Sequence, residues 1–193
     1  MISQEESERL LYEDVSPRDK PRYTLAQAAR YLKIAPATLH SWVRGRQYPR
    51  AGGAGRSEPL IRAADRLSFS NLIEAHVLRA LRINKATVRE SGRIAARQLL
   101  AAHLRRVEWD GAGLPVRLFP ASPADARLGE VSKIIVIDPR LSFGKPVVAS
   151  RGIRTSAIAG RIHAGESLEA VAQDYRLQPY EVEAAILYER EAA

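Results

Sequence analysis

The chain has 193 residues, with 30 basic and 22 acidic side chains for a net charge of +8, and it contains no cysteine. Disulfides, thiolate nucleophiles and cysteine-ligated zinc are therefore excluded. The composition, 46% hydrophobic and 27% charged, is that of a globular protein long enough for one large or two small domains, and we expect two.

No apolar run approaches the roughly 18 to 20 residues that cross a bilayer, so we expect no membrane association. The acidic start MISQEESERLLYEDVS lacks the basic and apolar regions of a secretory signal, which favours the cytoplasm. Residues 1–20 are predicted to form an acidic N-terminal arm.

The positive charge lies in the middle of the chain. Residues 21–106 carry 17 basic and 4 acidic side chains, a net of +13, whereas the segments before and after have nets of −3 and −2. Such a segment is typical of a protein that binds a polyanion, because each neutralised phosphate releases counterions.

Two short helices are predicted at the start of the basic segment. Thr24 and Gln27 form a capping box, and the first helix should end near Lys33. Pro36 then suits the first position of a second helix, which Gly45 ends. This is the pattern of a helix-turn-helix.

The second helix and the glycine- and arginine-rich stretch that follows it in the chain are predicted to form a DNA-contacting surface. The glycine- and arginine-rich stretch suits a β-hairpin wing. Short polar side chains on the helix can approach base edges, and arginines can reach the phosphate backbone. The alternative is an ordinary helical hairpin with a solvated loop. The candidate DNA-binding residues are Thr38, His40, Ser41, Arg44, Arg46, Arg50 and Arg56.

Two more helices should follow, one capped by Ser68 or Ser70 and one capped by Asn84. The arginine-bearing face of the second of these helices could be exposed to solvent or could form a dimer interface. His76 lies beside an apolar stripe, so we expect a packed side chain and not a metal ligand.

From residue 106 the pattern changes to short strands, with an Asp-Gly hairpin signal at 110 and 111. Three short helices follow, capped by Thr155, by Ser167 and by Gln178 with Pro179. The last helix carries four glutamates, which phosphate would repel, so this module is predicted to bind a protein partner. The glutamates are Glu181, Glu183, Glu189 and Glu191.

Catalytic motifs are not evident. The Gly144-Lys145 pair has Pro139 and Pro146 where a phosphate-binding loop needs Gly and Ser or Thr. The four histidines show no metal-binding spacing. We therefore expect no enzyme activity, no metal and no cofactor.

The C-terminal sequence, with Gly144-Lys145-Pro146-Val147 followed by AGESLEAVAQDY and AAILYER, resembles a small bacterial domain of unknown function over roughly residues 132–190. The usual Gly-Thr-Arg-Ile of that domain becomes Ser150-Arg151-Gly152-Ile153-Arg154-Thr155, which adds an arginine. With YTLAQAARYLKIAPATLHSW in front, similar to a MerR-like winged helix, the chain resembles a VapB-type antitoxin of a VapBC toxin–antitoxin pair.

That resemblance implies a protein that neutralises a PIN-type ribonuclease toxin and represses the shared promoter DNA, either as a homodimer or as a toxin–antitoxin complex. It implies a mainly α fold with a small β element, in which an N-terminal winged helix-turn-helix precedes a C-terminal helix-turn-helix-like module of three helices. The expected domains are a MerR-like DNA-binding domain at 21–105, a β connector at 106–131 and a helical toxin-binding domain at 132–193. Candidate toxin-binding residues are Lys145, Arg151, Arg154, Tyr188 and Arg190.

A second function stays open, that of a MerR-like transcription regulator whose C-terminal module senses a small molecule.

Overall fold

The computed structural model describes residues 15–50, 53–122, 125 and 132–191. Residues 1–14 of the predicted acidic arm, and residues 123–124 and 126–131 of the predicted connector, lie outside these ranges. The described chain is mainly α-helical with small antiparallel sheets, which confirms the coarse fold prediction. No helix in these ranges is long and apolar enough to cross a membrane.

The chain begins with two helices and a hairpin. Helix α1 (Leu25–Leu32) starts at Thr24, whose side chain forms the predicted capping box with Gln27. Its cap Lys33 adopts a left-handed conformation, φ 53°, which turns the chain into α2 (Pro36–Arg44). Strands β1 (Arg46–Arg50) and β2 (Gly53–Ser57) then pair antiparallel in the predicted wing position.

Gly45 makes the sharp passage from α2 into the hairpin possible. Its φ is +77°, and a Cβ atom there would lie 2.3 Å from the carbonyl oxygen of Ser57. Any other residue would be strained and would also collide with the returning strand. The hairpin is thereby held close against the end of α2.

The long helical run α3 (Phe69–Leu104) folds back on itself. Its hydrogen-bond pattern is continuous through Asn84, where the sequence predicts a new helix. However, the ring nitrogen Nε2 of His76 lies 2.9 Å from the carbonyl oxygen of His103. In a straight helix these residues would be about 40 Å apart. The chain therefore reverses between them, although the helix start predicted at Asn84 is not seen in the hydrogen-bond pattern.

The N-terminal core continues past α3 into the next hairpin. Strands β3 (Val107–Trp109) and β4 (Pro115–Leu118) pair through the predicted Asp-Gly turn, where the Asp110 carboxylate accepts the N–H groups of Ala112 and Leu114. Buried side chains of α1, α2 and α3 pack with Val107 and Leu118 in one cluster. The first hydrophobic unit thus includes residues of the predicted connector.

The C-terminal unit packs three helices on a small sheet. Strands β5 (Ile135–Val136), β6 (Val147–Val148) and β7 (Ile153–Arg154) pair antiparallel in that order, and a short 3₁₀ helix (Ser142–Gly144) lies between the first two. Helices α4 (Thr155–His163), α5 (Leu168–Tyr175) and α6 (Pro179–Glu191) follow. Their inner faces and the sheet enclose the second core.

The helix starts in this unit agree with the predictions except at α4. The Ser167 hydroxyl caps α5, and the side chain of Glu181 accepts the N–H of Gln178 at the start of α6. The predicted cap Thr155 is instead the first residue of α4, and Arg154 is the cap. The Thr155 side chain is buried, and its hydroxyl donates to the carboxylate of Glu189.

Candidate functional site

An open cleft of about 680 Å³ lies between α2, the β1–β2 hairpin and α3. We call it the basic cleft. Helix α2 turns Leu39 and Val43 into the core, which leaves Ala37, His40 and Arg44 exposed on the opposite side. The cleft is lined by Ala37, Thr38, His40, Ser41, Arg44, Gly45, Arg46, Gln47, Arg56 and Arg82.

Hydrogen bonds hold the walls of the basic cleft together. Arg82 of α3 donates from Nη1 to the hydroxyl oxygen of Thr38 at 3.1 Å. The Ser41 hydroxyl donates to the carbonyl of Thr38 at 2.7 Å, and Arg56 of β2 reaches the carbonyl of Arg44 at 3.4 Å. Side chains from three separate elements are thus positioned toward one concave surface.

The electrostatics of the cleft favour an anion. Four arginines line it, and none of the described lining residues is acidic. The carboxylate of Asp65 approaches Arg44 to 3.7 Å, but both side chains are well exposed, so the pair neutralises little. Four like charges around one concavity repel each other, and a polyanion with regularly spaced phosphates relieves that repulsion.

Six of the seven residues predicted to bind DNA line this cleft: Thr38, His40, Ser41, Arg44, Arg46 and Arg56. The side chain of the seventh, Arg50, lies outside the described part of the structure. Sequence reasoning missed Gln47 and Arg82. Gln47 follows Arg46 in the strand and could have been found there, whereas Arg82 is 38 positions away from Arg44 and gave no local signal.

The residues predicted to bind a toxin are more dispersed. Lys145, Arg151 and Arg190 are exposed, and Arg154 is half-buried. The β6–β7 hairpin brings Lys145 and Arg154 near each other, because Val147 pairs with Arg154 and the N–H of Thr155 bonds to the carbonyl of Pro146. Arg151 instead contacts the carbonyl of Arg176 with its Nε at 3.3 Å, beside the end of α5.

Tyr188 is not available to a partner in this structure. It is fully buried, and its hydroxyl donates to the carbonyl of Tyr31 in α1 at 3.1 Å. Burial also raises its pKa well above the ordinary value. The sequence predicted Tyr188 as a toxin-binding residue, but the long-range packing of α6 on α1 covers its side chain.

The glutamates of α6 also have structural partners. Glu181 caps its own helix, and Glu189 pairs with Arg30 of α1. Lys33 adds a contact to the same end of α6, with its Nζ 2.5 Å from the carbonyl of Tyr188 and 4.2 Å from its ring centroid. At least two of the four carboxylates therefore have structural roles, Glu181 within its own helix and Glu189 between α6 and α1.

Gly144 and His76 have structural explanations. Gly144 has φ +74°, and a Cβ atom there would lie 2.1 Å from the hydroxyl of Tyr23, which donates to the carbonyl of Gly144. His76 is buried, and desolvation lowers its pKa to about 4. Within the described ranges no three histidine or acidic side chains cluster as metal ligands would.

Residues 135–188 match a family model described as "Protein of unknown function (DUF433)". This range contains β5 to β7, the 3₁₀ helix, α4, α5 and most of α6. The C-terminal unit of this chain thus matches that family model, in the place where the sequence resemblance indicated such a domain.

A relative covers both units. The chain is 29% identical, over 87% of its own length and 93% of the relative's, to a Mycobacterium tuberculosis (strain ATCC 25618 / H37Rv) protein named "Putative antitoxin VapB45". This likeness supports an antitoxin of a toxin–antitoxin system. The fold is also that of a crystal structure of Rv2018 from Mycobacterium tuberculosis, with a TM-score of 0.63, 22% identity, and coverage of 87% of this chain and 98% of that one.

Proposed function

We propose that this chain is a non-enzymatic antitoxin of a type II toxin–antitoxin system, which neutralises a PIN-type ribonuclease and represses its own promoter. The observation that carries the proposal is the likeness to the VapB45 relative across both structural units. A likeness confined to the C-terminal domain would leave the basic cleft unexplained. Here the same relative spans the cleft and the domain.

The N-terminal unit is the proposed DNA-binding part, a MerR-like winged helix-turn-helix. In this arrangement α2 enters the major groove and the β1–β2 hairpin lies along the backbone. The position of the arginines supports it: Arg46 and Arg56 are on the hairpin and Arg44 ends α2. A homodimer would present two such clefts to two half-sites.

The C-terminal unit is the proposed partner-binding part. Within this unit, positions 139–165 contain five arginines or lysines and no aspartate or glutamate. A PIN-type ribonuclease holds its catalytic metal with clustered carboxylates, and a basic surface would complement such a site. Lys145, Arg151 and Arg154 are the residues of this unit that we assign to that contact.

Neutralisation is tested by co-expression with the product of the adjacent gene. We expect the full chain to rescue growth and to co-purify with that product in a defined stoichiometry. If the two proteins neither form a complex nor restore growth, the antitoxin function is refuted for that pair.

Promoter binding is tested separately, with a duplex of the upstream region and fluorescence anisotropy at several salt concentrations. Replacing Arg44 and Arg46 by alanine should reduce the slope of log affinity against log salt by about 1.8 per cleft, or about 0.9 for each lost phosphate contact. Arg105→Ala is the control, because Arg105 is exposed but does not line the cleft. Equal slopes for the double variant and the control would place the DNA on another surface.

A further inference from the structure

The loop between β5 and β6 presents apolar side chains to solvent. Phe143 is 75% exposed and Leu141 is 38% exposed, so Phe143 is one of the most exposed large apolar residues in the described structure. We call these two residues the apolar tip. An isolated exposed leucine needs no explanation, but an aromatic ring held out of the core by its own backbone does.

The loop carrying the tip is firmly anchored on both sides. Arg22 donates to the carbonyl of Pro139 at 2.8 Å, and the Tyr23 hydroxyl donates to the carbonyl of Gly144 at 3.1 Å. The buried carboxylate of Asp138 accepts the N–H of Arg140 at 2.8 Å. Because both ends are fixed, the exposed ring is preorganised, which reduces the entropy lost when a partner binds.

The backbone of the tip adopts a conformation that its residues disfavour. Ser142 has φ 46° and Phe143 has φ 57°, and both therefore lie in the left-handed region. Non-glycine residues occupy this region rarely, and two in succession indicate a conformation imposed by the surrounding structure. Strain of this kind is concentrated at functional sites. In this loop, the left-handed backbone of Ser142 and Phe143 holds the Phe143 side chain in solvent.

Basic side chains flank the tip. Arg140 and Lys145 are exposed, and neither has an ion-pair partner among the described residues. Across positions 139–165 the chain has no acidic residue. We propose that Phe143 and Leu141 are the central anchor of the partner contact, inserted into an apolar pocket of the toxin that carboxylates surround and that Arg140 and Lys145 engage.

This proposal rests on the proposed antitoxin function, because it names the contact that holds the toxin. An exposed aromatic anchor inside a ring of charged residues is the usual composition of an energetic centre in a protein interface. A single-stranded nucleic acid would instead need successive stacking platforms. The other residue of the apolar tip, Leu141, is aliphatic and cannot stack a second base, so a protein fits the tip better.

The test uses the full chain and the purified product of the adjacent gene in titration calorimetry. Phe143→Ala should weaken the complex by about 30-fold or more, as expected for a central aromatic anchor. Leu60→Ala is the matched control, since Leu60 is an apolar residue of the N-terminal unit with 64% exposure. We expect wild-type affinity for that control, and wild-type promoter binding for both variants.

A second pair of variants separates binding from structure. Phe143→Gly should retain or raise the melting temperature, because glycine accepts a positive φ, and it should still lose the partner. Ser142→Gly should retain or raise the melting temperature and keep the partner. A fall in melting temperature of several degrees for Phe143→Gly would show that the ring stabilises the fold, and it would overturn the proposal.

The remaining outcomes are also decisive. If the wild-type complex forms and Phe143→Ala binds equally well, the tip proposal is wrong and the antitoxin function stands. If the wild-type chain forms no complex, the proposed function itself fails. If Phe143→Ala instead loses affinity for a single-stranded oligonucleotide and not for the protein, the surface binds nucleic acid and the proposal is overturned.

Discussion

The hydrogen bond between Tyr188 and Tyr31 gives a sharp test of how the two units are joined. The last carbonyl groups of a helix have no donor within that helix, and Tyr31 lies in the final turn of α1. The Tyr188 hydroxyl supplies the missing donor from α6, in a fully buried position. Tyr188→Phe removes only that oxygen and leaves the packing of the ring in place.

The size of the effect follows from what remains in the variant. The carbonyl of Tyr31 would stay buried without a partner, and an unsatisfied buried acceptor costs about 1 to 3 kcal/mol. We therefore expect the free energy of unfolding to fall by that amount in Tyr188→Phe. Tyr180→Phe is the control in the same helix, because Tyr180 is 58% exposed, and its free energy of unfolding should change by less than about 0.5 kcal/mol.

Urea denaturation, followed by circular dichroism, measures both variants. The midpoint should shift for Tyr188→Phe with an unchanged m-value, since the surface exposed on unfolding is the same. Equal midpoints for the two variants would contradict the reasoning and would mean that the α1–α6 contact contributes little. A separate early transition for one unit would show that the two units unfold independently.

Three further predictions follow from single residues. Because burial lowers the pKa of His76 to about 4, the unfolded state takes up a proton first as the pH falls below about 6.5. The free energy of unfolding should thus decline by about 3 kcal/mol between pH 6.5 and 4, and His76→Gln should flatten this dependence in urea titrations at each pH. Gly144→Ala should lower the melting temperature more than Gly152→Ala, because both have positive φ but only the first would collide with Tyr23; equal losses would mean that the collision relaxes. Arg82→Ala should reduce the salt slope of promoter binding by about 0.9 per cleft, and an unchanged slope would limit Arg82 to supporting Thr38.

Local features of the fold were predictable from the sequence. Capping depends on residues three or four positions apart, so Thr24 with Gln27 and Ser167 marked true helix starts. The glycine-rich stretch after α2 forms the expected hairpin. Charge counting identified the basic segment 21–106, and the four arginines that line the basic cleft all lie within it.

Contacts between distant segments were not predictable. Thr155 has the chemistry of a cap, but the carboxylate of Glu189 comes close to its hydroxyl only after α6 folds against α4. Arg82 reaches Thr38 only because α3 packs beside α2. A single sequence carries no pairing information at such separations, so these side chains were assigned by their local pattern alone.

The structure connects the proposed DNA-binding and partner-binding parts through α1. The end of α6 contacts this helix and its turn at three places, through Tyr188 to the carbonyl of Tyr31, through Glu189 to Arg30, and through the Tyr188 carbonyl to Lys33. Lys33 is also the left-handed residue that turns α1 toward α2, the helix that lines the basic cleft. A partner that displaces the end of α6 would therefore break contacts at the residue that sets the angle between these helices. If binding of such a partner changes the affinity of the cleft for its ligand, linkage requires that the ligand change the affinity for the partner by the same factor.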